Sequence, residues 1–171
     1  MEPVSTLGPR HREALTAHLL QLPAGDRAER FACAVGDDYI RRYVDGIGYG
    51  QDIVIGAMQD ERVIALCHAP VYVDHSDGGA LATEIGLSVD ADLRGRGLGK
   101  ALLLAAIDAA ARRNVRRALA FHHPSNTAMA GLSRDIGARI ENDGGAACAV
   151  FEIGAGADAI NDARAPPRRG H

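Results

Sequence analysis

Apolar residues change their spacing several times along this chain, and the changes mark out its elements. Val4 to Leu7 predicts a short opening strand. From His11 to Leu22 the apolar positions Leu15, Leu19 and Leu22 fall on one face of a helix, which Pro23-Ala24-Gly25-Asp26 ends. Asp26 is placed to cap a second short helix running through Arg30, and Asp37 or Asp38 a third that carries Tyr39, Ile40, Tyr43 and Val44. From Gln51 the period shortens. Asp52 to Met58 reads as a strand, Asp60-Glu61 as a turn, and Val63 to Val73 as the second strand of a hairpin. Pro70 cannot donate to a ladder, so a bulge or an edge is expected there. After the polar turn His75 to Gly79, Ile85, Leu87 and Val89 alternate with Gly86 and Ser88, so Leu81 to Val89 reads as a third antiparallel strand.

The helical period returns after Gly99 and runs to Arg112-Arg113-Asn114. Arg116 to His122 reads as a strand, and a strand–helix–strand step of this length implies parallel pairing. Pro124-Ser125-Asn126 breaks it. Ser125 to Gly137 reads as a helix with Ala128, Met129, Leu132 and Ile136 inward and Gly137 as its stop. Ala138 to Glu141 and Ala147 to Ile153 form a closing hairpin around Asp143-Gly144-Gly145. Residues 154–171 hold almost no large apolar side chain, so the expectation is one domain over 1–153 and a disordered tail over 154–171.

Composition narrows the class. A chain of 171 residues with 47% hydrophobic content fits one globular domain. A net charge of -3 gives no electrostatic footprint for nucleic acid. Cys33, Cys67 and Cys148 are scattered and odd in number, which points to a reducing, cytoplasmic compartment. The first residues show no apolar signal core, and no segment is long enough to span a membrane. His68, His75, His122 and Cys67 form no recognisable metal set, so no metal is expected.

The chemistry concentrates in Arg94-Gly95-Arg96-Gly97-Leu98-Gly99, between a strand and a long helix. A helix start leaves about four N–H groups unpartnered, and with the helix dipole they favour an anion. Glycines let the backbone approach it closely. Phosphate loops of the Walker type need glycine where Arg94 stands and Ser or Thr where Ala101 stands. The dinucleotide fingerprint needs glycine where Lys100 stands. A glycine-rich turn that merely caps a core helix is the plain alternative to a phosphate cradle.

Arg-x-x-Gly-x-Gly over Arg94 to Gly99 resembles the coenzyme A pyrophosphate loop of the GNAT N-acetyltransferase superfamily, whose pattern is Gln/Arg-x-x-Gly-x-Gly/Ala. Asn126-Thr127-Ala128-Met129, with Leu132 and Ile136-Gly137, resembles the superfamily's second coenzyme segment, although Ala138 stands where Phe is usual. Leu22-Pro23-x-x-Asp26-Arg27-x-x-Arg30-Phe31 and Glu84 resemble a bacterial branch that acetylates protein lysines. The resemblance covers about Val4 to Ile153. It implies a mixed α/β acyltransferase fold: a central mixed sheet with antiparallel N-terminal strands, a splayed parallel pair and flanking helices. It implies acetyl-coenzyme A as donor and a primary amine as acceptor, a protein lysine slightly ahead of a small molecule. It leaves a homodimer open. A coenzyme A-binding regulatory module without transfer activity is the reading from another class.

The same resemblance places the pantetheine arm and acetyl group along Leu87, Ser88 and Val89. It places the pyrophosphate at Arg94, Gly95, Arg96, Gly97, Leu98, Gly99 and Lys100, and a hydrogen bond to the arm at Asn126. An N–H of the strand would then serve as an oxyanion donor, and Glu84 as general base, its pKa raised by partial burial. The plain alternatives are sheet pairing for the strand, an edge ion pair for Glu84 and a helix cap for Asn126. Many superfamily members carry a tyrosine acid seven residues after this asparagine; Ser133 stands there. Of His122 and His123 at most one can point into the site, because neighbours on a strand face opposite ways. His11 and His18 are expected on a solvated helix face, and Phe31, Tyr39, Tyr43 and Tyr72 are candidates to line an acceptor channel.

Overall fold

The computed structural model describes residues 3–142 and 144–154. The tail expected over 154–171 therefore lies outside the described residues from 155 onward, as does Asp143 in the last hairpin. The chain runs β1 (Val4–Thr6), α1 (Arg12–Gln21), α2 (Ala24–Phe31), α3 (Asp37–Asp45), β2 (Ile53–Gln59), β3 (Arg62–Ala69), β4 (Val71–Asp74), β5 (Ala80–Glu84), β6 (Gly86–Val89), α4 (Leu98–Arg112), β7 (Val115–His122), α5 (Thr127–Asp135), β8 (Arg139–Asn142) and β9 (Ala147–Glu152). This is the mixed α/β order expected.

The central sheet is divided in its hydrogen bonding. One sheet has the order β1-β2-β3-β6 and is antiparallel throughout; the other has the order β4-β5-β7-β9-β8, with β5 and β7 parallel. The division corrects two expectations. Val63 to Val73 is two strands, broken at Pro70, and Leu81 to Val89 is two strands, broken at Ile85. Both breaks belong to one bent hairpin whose register does not slip: His68 faces Gly86 before the bend and Val71 faces Thr83 after it. At that register Pro70 stands opposite Glu84, where its missing N–H interrupts the ladder. The Thr83 hydroxyl donates to the Pro70 carbonyl at 2.7 Å and holds the bend.

Both faces of the first sheet are covered, which explains the apolar run Ile53 to Met58. Ile53, Ile55 and Ala57 pack with Leu102, Leu103 and Ala106 of α4, whereas Val54 packs with Leu15 and Leu19 of α1 and Ile40 and Val44 of α3. Burying each valine, leucine or isoleucine among them contributes roughly 1.5–3 kcal/mol, far more than the propensity of helices this short. The caps differ from expectation. Pro23 and Gly36 occupy the N-cap positions of α2 and α3, while Asp26 and Asp37 lie in the first turns, where their carboxylates pair with Arg94 and Arg27. Asn126 does cap α5, accepting from the Met129 N–H at 3.0 Å, and Gly137 ends it with φ +95°.

Candidate active site

The bend in the hairpin opens a groove of about 440 Å³. β5 pairs with β7 as far as Glu84 opposite Leu119, and the Ile85 N–H then donates to the Leu119 carbonyl at 2.7 Å. Beyond that bond β6 turns into the other sheet, where it is the edge strand. Its outer backbone groups are left without a neighbouring strand, and Gly86, Leu87, Ser88 and Val89 all line the groove. An open edge of this kind accepts an extended amide-bearing ligand as a further strand would dock.

At one end of the groove stands the glycine loop. Gly97 is the N-cap of α4 with φ +85°, a left-handed conformation that favours glycine, and Gly95 has φ +72°. The free N–H groups of the α4 start sit with Leu98 and Gly99 on the groove wall. The cation there, Arg94, donates from Nε to the Val89 carbonyl at 3.2 Å and from Nη2 to Asp26 Oδ2 at 2.6 Å. Across the groove Asn126 donates from Nδ2 to Glu29 Oε2 at 3.0 Å. Thus α2 forms one wall and reaches both candidate donor contacts.

At the other end the wall is made of side chains. Arg30 lines the groove above Gly86, so close that a methyl on Gly86 would collide with both terminal guanidinium nitrogens. Its Nη2 donates to Tyr43 Oη at 2.7 Å, the Tyr43 hydroxyl donates to His68 Nδ1, and His68 Nε2 donates to Asp52 Oδ2 at 3.0 Å. Burial holds His68 below the ordinary imidazole range and pushes the Tyr43 phenol up, so both stay neutral. Ser88 is held from behind: its Oγ is 2.8 Å from His18 Nε2, and His18 Nδ1 lies 3.1 Å from Asp90 Oδ1. Desolvation lowers the His18 pKa.

Of the residues singled out in the sequence, Leu87, Ser88, Val89, Arg94, Gly95, Leu98, Gly99 and Asn126 border the groove. Arg96, Gly97 and Lys100 belong to the same loop but do not line it; the Arg96 Nη2 donates to the Asp92 carbonyl at 3.2 Å. Glu84 is exposed rather than partly buried, and it stands one residue before groove-lining Ile85. Its charge is felt on the open face of the second sheet: burial first and then Glu84 raise the pKa of both Tyr72 and Cys148. His122 lines the groove with a buried Nε2 that has no hydrogen-bond partner among the described residues, while exposed His123 turns to Ser125.

Two expectations need correction, those for His18 and for the aromatic channel. His18 is not on a solvated face but buried. Ser133 has no exposure at all and lies outside the groove. The four aromatic residues do not converge: Phe31 meets Tyr39 and Tyr43 edge to face, whereas Tyr72 lies on β4 in the other sheet. The groove roles of Asp26, Glu29 and Arg30 went unseen, although all three stand in or beside a segment already singled out. The available signal was the cluster of charges on α2. The Cys67 thiol, pushed up to about 12 by burial, is no nucleophile. Among the described residues no helix is long and apolar enough to cross a membrane, and no three His, Cys, Asp or Glu side chains cluster to hold a metal.

A family model described as Acetyltransferase (GNAT) family matches residues 18–138. No match to the sequence was found among curated proteins. Solved structures share the fold at low identity. The GNAT domain of S. lividans PAT is 19% identical, with 88% of this chain and 89% of that one covered and a TM-score of 0.74. A phosphinothricin acetyltransferase from Sinorhizobium meliloti, solved with AcCoA, is 15% identical over 98% of this chain and 94% of its own, with a TM-score of 0.70. The ribosomal-protein-S18-alanine N-acetyltransferase of Escherichia coli is 19% identical over 90% and 93%, with a TM-score of 0.63.

Proposed function

Because this chain belongs to the acetyltransferase (GNAT) family, we propose that it binds acetyl-coenzyme A along β6 and transfers the acetyl group directly to a primary amine, with a protein lysine slightly favoured. The observation that carries this reading is the continuity of the groove: an open strand edge leads without interruption to a glycine loop at a helix start. The loop from Arg94 to Lys100 would take the pyrophosphate through backbone N–H groups and cationic side chains. Leu87, Ser88 and Val89 would hold the pantetheine arm by their backbone, and Asn126 would release Glu29 to bind it. Its cap to Met129 uses the side-chain oxygen, which leaves Nδ2 to donate.

Glu84 is proposed as the general base. It lies where the parallel pairing ends, on the face away from the glycine loop, so an amine can approach from the open face bearing Tyr72. A carboxylate there takes the ammonium proton, through water, before the amine nitrogen attacks the thioester carbon. The acceptor preference rests on the α2 segment and on the open face. A lysine needs one carboxylate and an apolar path for its stem, whereas a polyamine needs several carboxylates. The solved structures named above take their names from acceptors as different as a ribosomal protein and phosphinothricin, so the fold does not choose between classes. The test is incubation of the protein and acetyl-coenzyme A with a cytosolic extract, followed by mass spectrometry of acetyl-lysine. A panel of small amines, read by thiol release, runs in parallel. Lysine acetylation that requires the enzyme is the expected outcome. Turnover of a small amine alone would move the acceptor to that class, and binding without turnover anywhere would leave a coenzyme A-binding module.

A further inference from the structure

Arg30 is the feature of the groove that the reading above does not use. Among the described residues no carboxylate lies within ion-pair distance of it, whereas Arg94, the other arginine on the groove wall, pairs with Asp26. Its Nε is buried and has no hydrogen-bond partner among the described residues. Its guanidinium carbon lies 5.0 Å from the Phe31 ring centroid and 5.5 Å from that of Tyr43, so aromatic faces rather than anions offset the charge. The head is also fixed. The chain of donors from Arg30 through Tyr43 and His68 ends on Asp52, which in turn accepts the Gly48 N–H at 2.9 Å. Each group in that chain has one role that suits it, so the guanidinium is held in place without being neutralised.

Position decides what such a cation meets. With the pyrophosphate at the glycine loop, the pantetheine arm runs back along β6 from Val89 toward Gly86. Its reactive end would then come to Gly86, which lies under Arg30. We propose that Arg30 is a catalytic residue: its guanidinium meets the negative charge that gathers on the sulfur as coenzyme A leaves. The inference rests on the donor-binding reading above. In the step, the amine nitrogen bonds to the acetyl carbon and the C–S bond breaks. The electron pair stays on sulfur, the second proton leaves the nitrogen to water, the first having gone to the base, and Arg30 keeps its charge, donating a hydrogen bond to the thiolate. Fixed donors aimed at developing charge lower a barrier because they need no reorganisation when the charge appears.

The test uses coenzyme A itself as the probe, bound to the full chain and titrated by the ultraviolet absorbance of its thiolate. On the wild type the bound thiol should ionise about one pH unit or more lower than on Arg30→Gln, the effect of one nearby opposite charge. Turnover of Arg30→Gln should fall by about 10²-fold or more while coenzyme A affinity changes less than about threefold, as for loss of one transition-state donor. Two variants separate charge from packing. Arg30→Lys should regain part of the lowered thiol pKa. Gly86→Ala keeps the arginine but its methyl collides with the guanidinium and displaces it from the strand, so it should behave like Arg30→Gln. Melting curves report whether each variant folds. Equal thiol titration on wild type and Arg30→Gln, with coenzyme A bound to both, would overturn the role of Arg30 alone. So would a loss seen only as a raised acceptor KM, which would make Arg30 an acceptor contact. Failure of the wild type to bind coenzyme A would overturn the donor reading and this inference with it.

Discussion

The two ends of the groove are built from different materials. The glycine-loop end is backbone: a left-handed Gly97, the start of α4 and the open edge of β6. The Arg30 end is side chain, assembled from α2, α3, β3 and Asp52 just ahead of β2 by hydrogen bonds that span 13, 25 and 16 residues of sequence. A backbone site depends on a few residues in a row, and only certain residue types adopt its conformations, so it writes a motif. A side-chain site depends on the fold to bring distant residues together, and any one of its members reads as an ordinary core or surface residue. Motifs therefore report where this groove grips a ligand and are silent on what it does to it.

The comparison breaks most sharply at Gly97. Gly97→Glu forces a side chain into a left-handed turn and sets a carboxylate against phosphate; acetyl-coenzyme A binding should be lost in calorimetry while circular dichroism stays native. Binding at wild-type strength would mean that the loop is only a helix cap. At the catalytic end, Glu84→Gln should lower turnover by about 10²-fold and leave donor affinity nearly unchanged. Ser133→Ala should leave turnover as it is, because that hydroxyl is buried outside the groove. A small, equal effect of both variants would turn attention to His122. The two ends meet at Asp26 and Arg94, and there the expected change is a gain. Asp26→Asn frees Arg94 from an exposed ion pair that contributes at most about 1 kcal/mol, so the donor should bind up to about fivefold more tightly. Weaker binding would show that α2 supports the donor instead of competing for it.

The smallest effect is on stability. Burial holds His18 and His68 below the ordinary imidazole value of about 6.5. The unfolded chain thus binds more protons than the folded one once the pH drops below about 6.5. The contribution of these side chains is full above that pH and falls as the pH falls through the lowered folded values. Melting temperature should decline below pH 6.5, and less steeply in His18→Gln; parallel curves would mean that other groups set the acid limit.

Much of the fold was legible. Period changes located the hairpins and helices to within a few residues, and the Asn126 cap and Gly137 stop read correctly because each acts on its own backbone. The divided sheet was half legible: Pro70 announced a break, but the matching break at Ile85 follows from the pairing partner and has no local signal. The caps of α2 and α3 misled because Asp26 and Asp37 satisfy distant arginines instead of the helix starts beside them. His18 misled for a related reason. A histidine seven positions from another looks like a polar stripe, and only the tertiary contact with Ser88 shows that it belongs to the interior.

The unslipped register of the bent hairpin bears on how the molecule assembles. Residues 65–89 meet across one short turn, so their pairing needs little loop closure and can form early. The parallel partner β7 arrives only after α4 has crossed. A single early ribbon would then seed both sheets and carry the future groove, already bent, before either sheet is complete. Pulse-labelled hydrogen exchange during refolding should show the paired amides of β3, β4, β5 and β6 gaining protection together and ahead of β7 and β9. Protection of β7 at the same moment would place the bend late, as a product of packing and not its template.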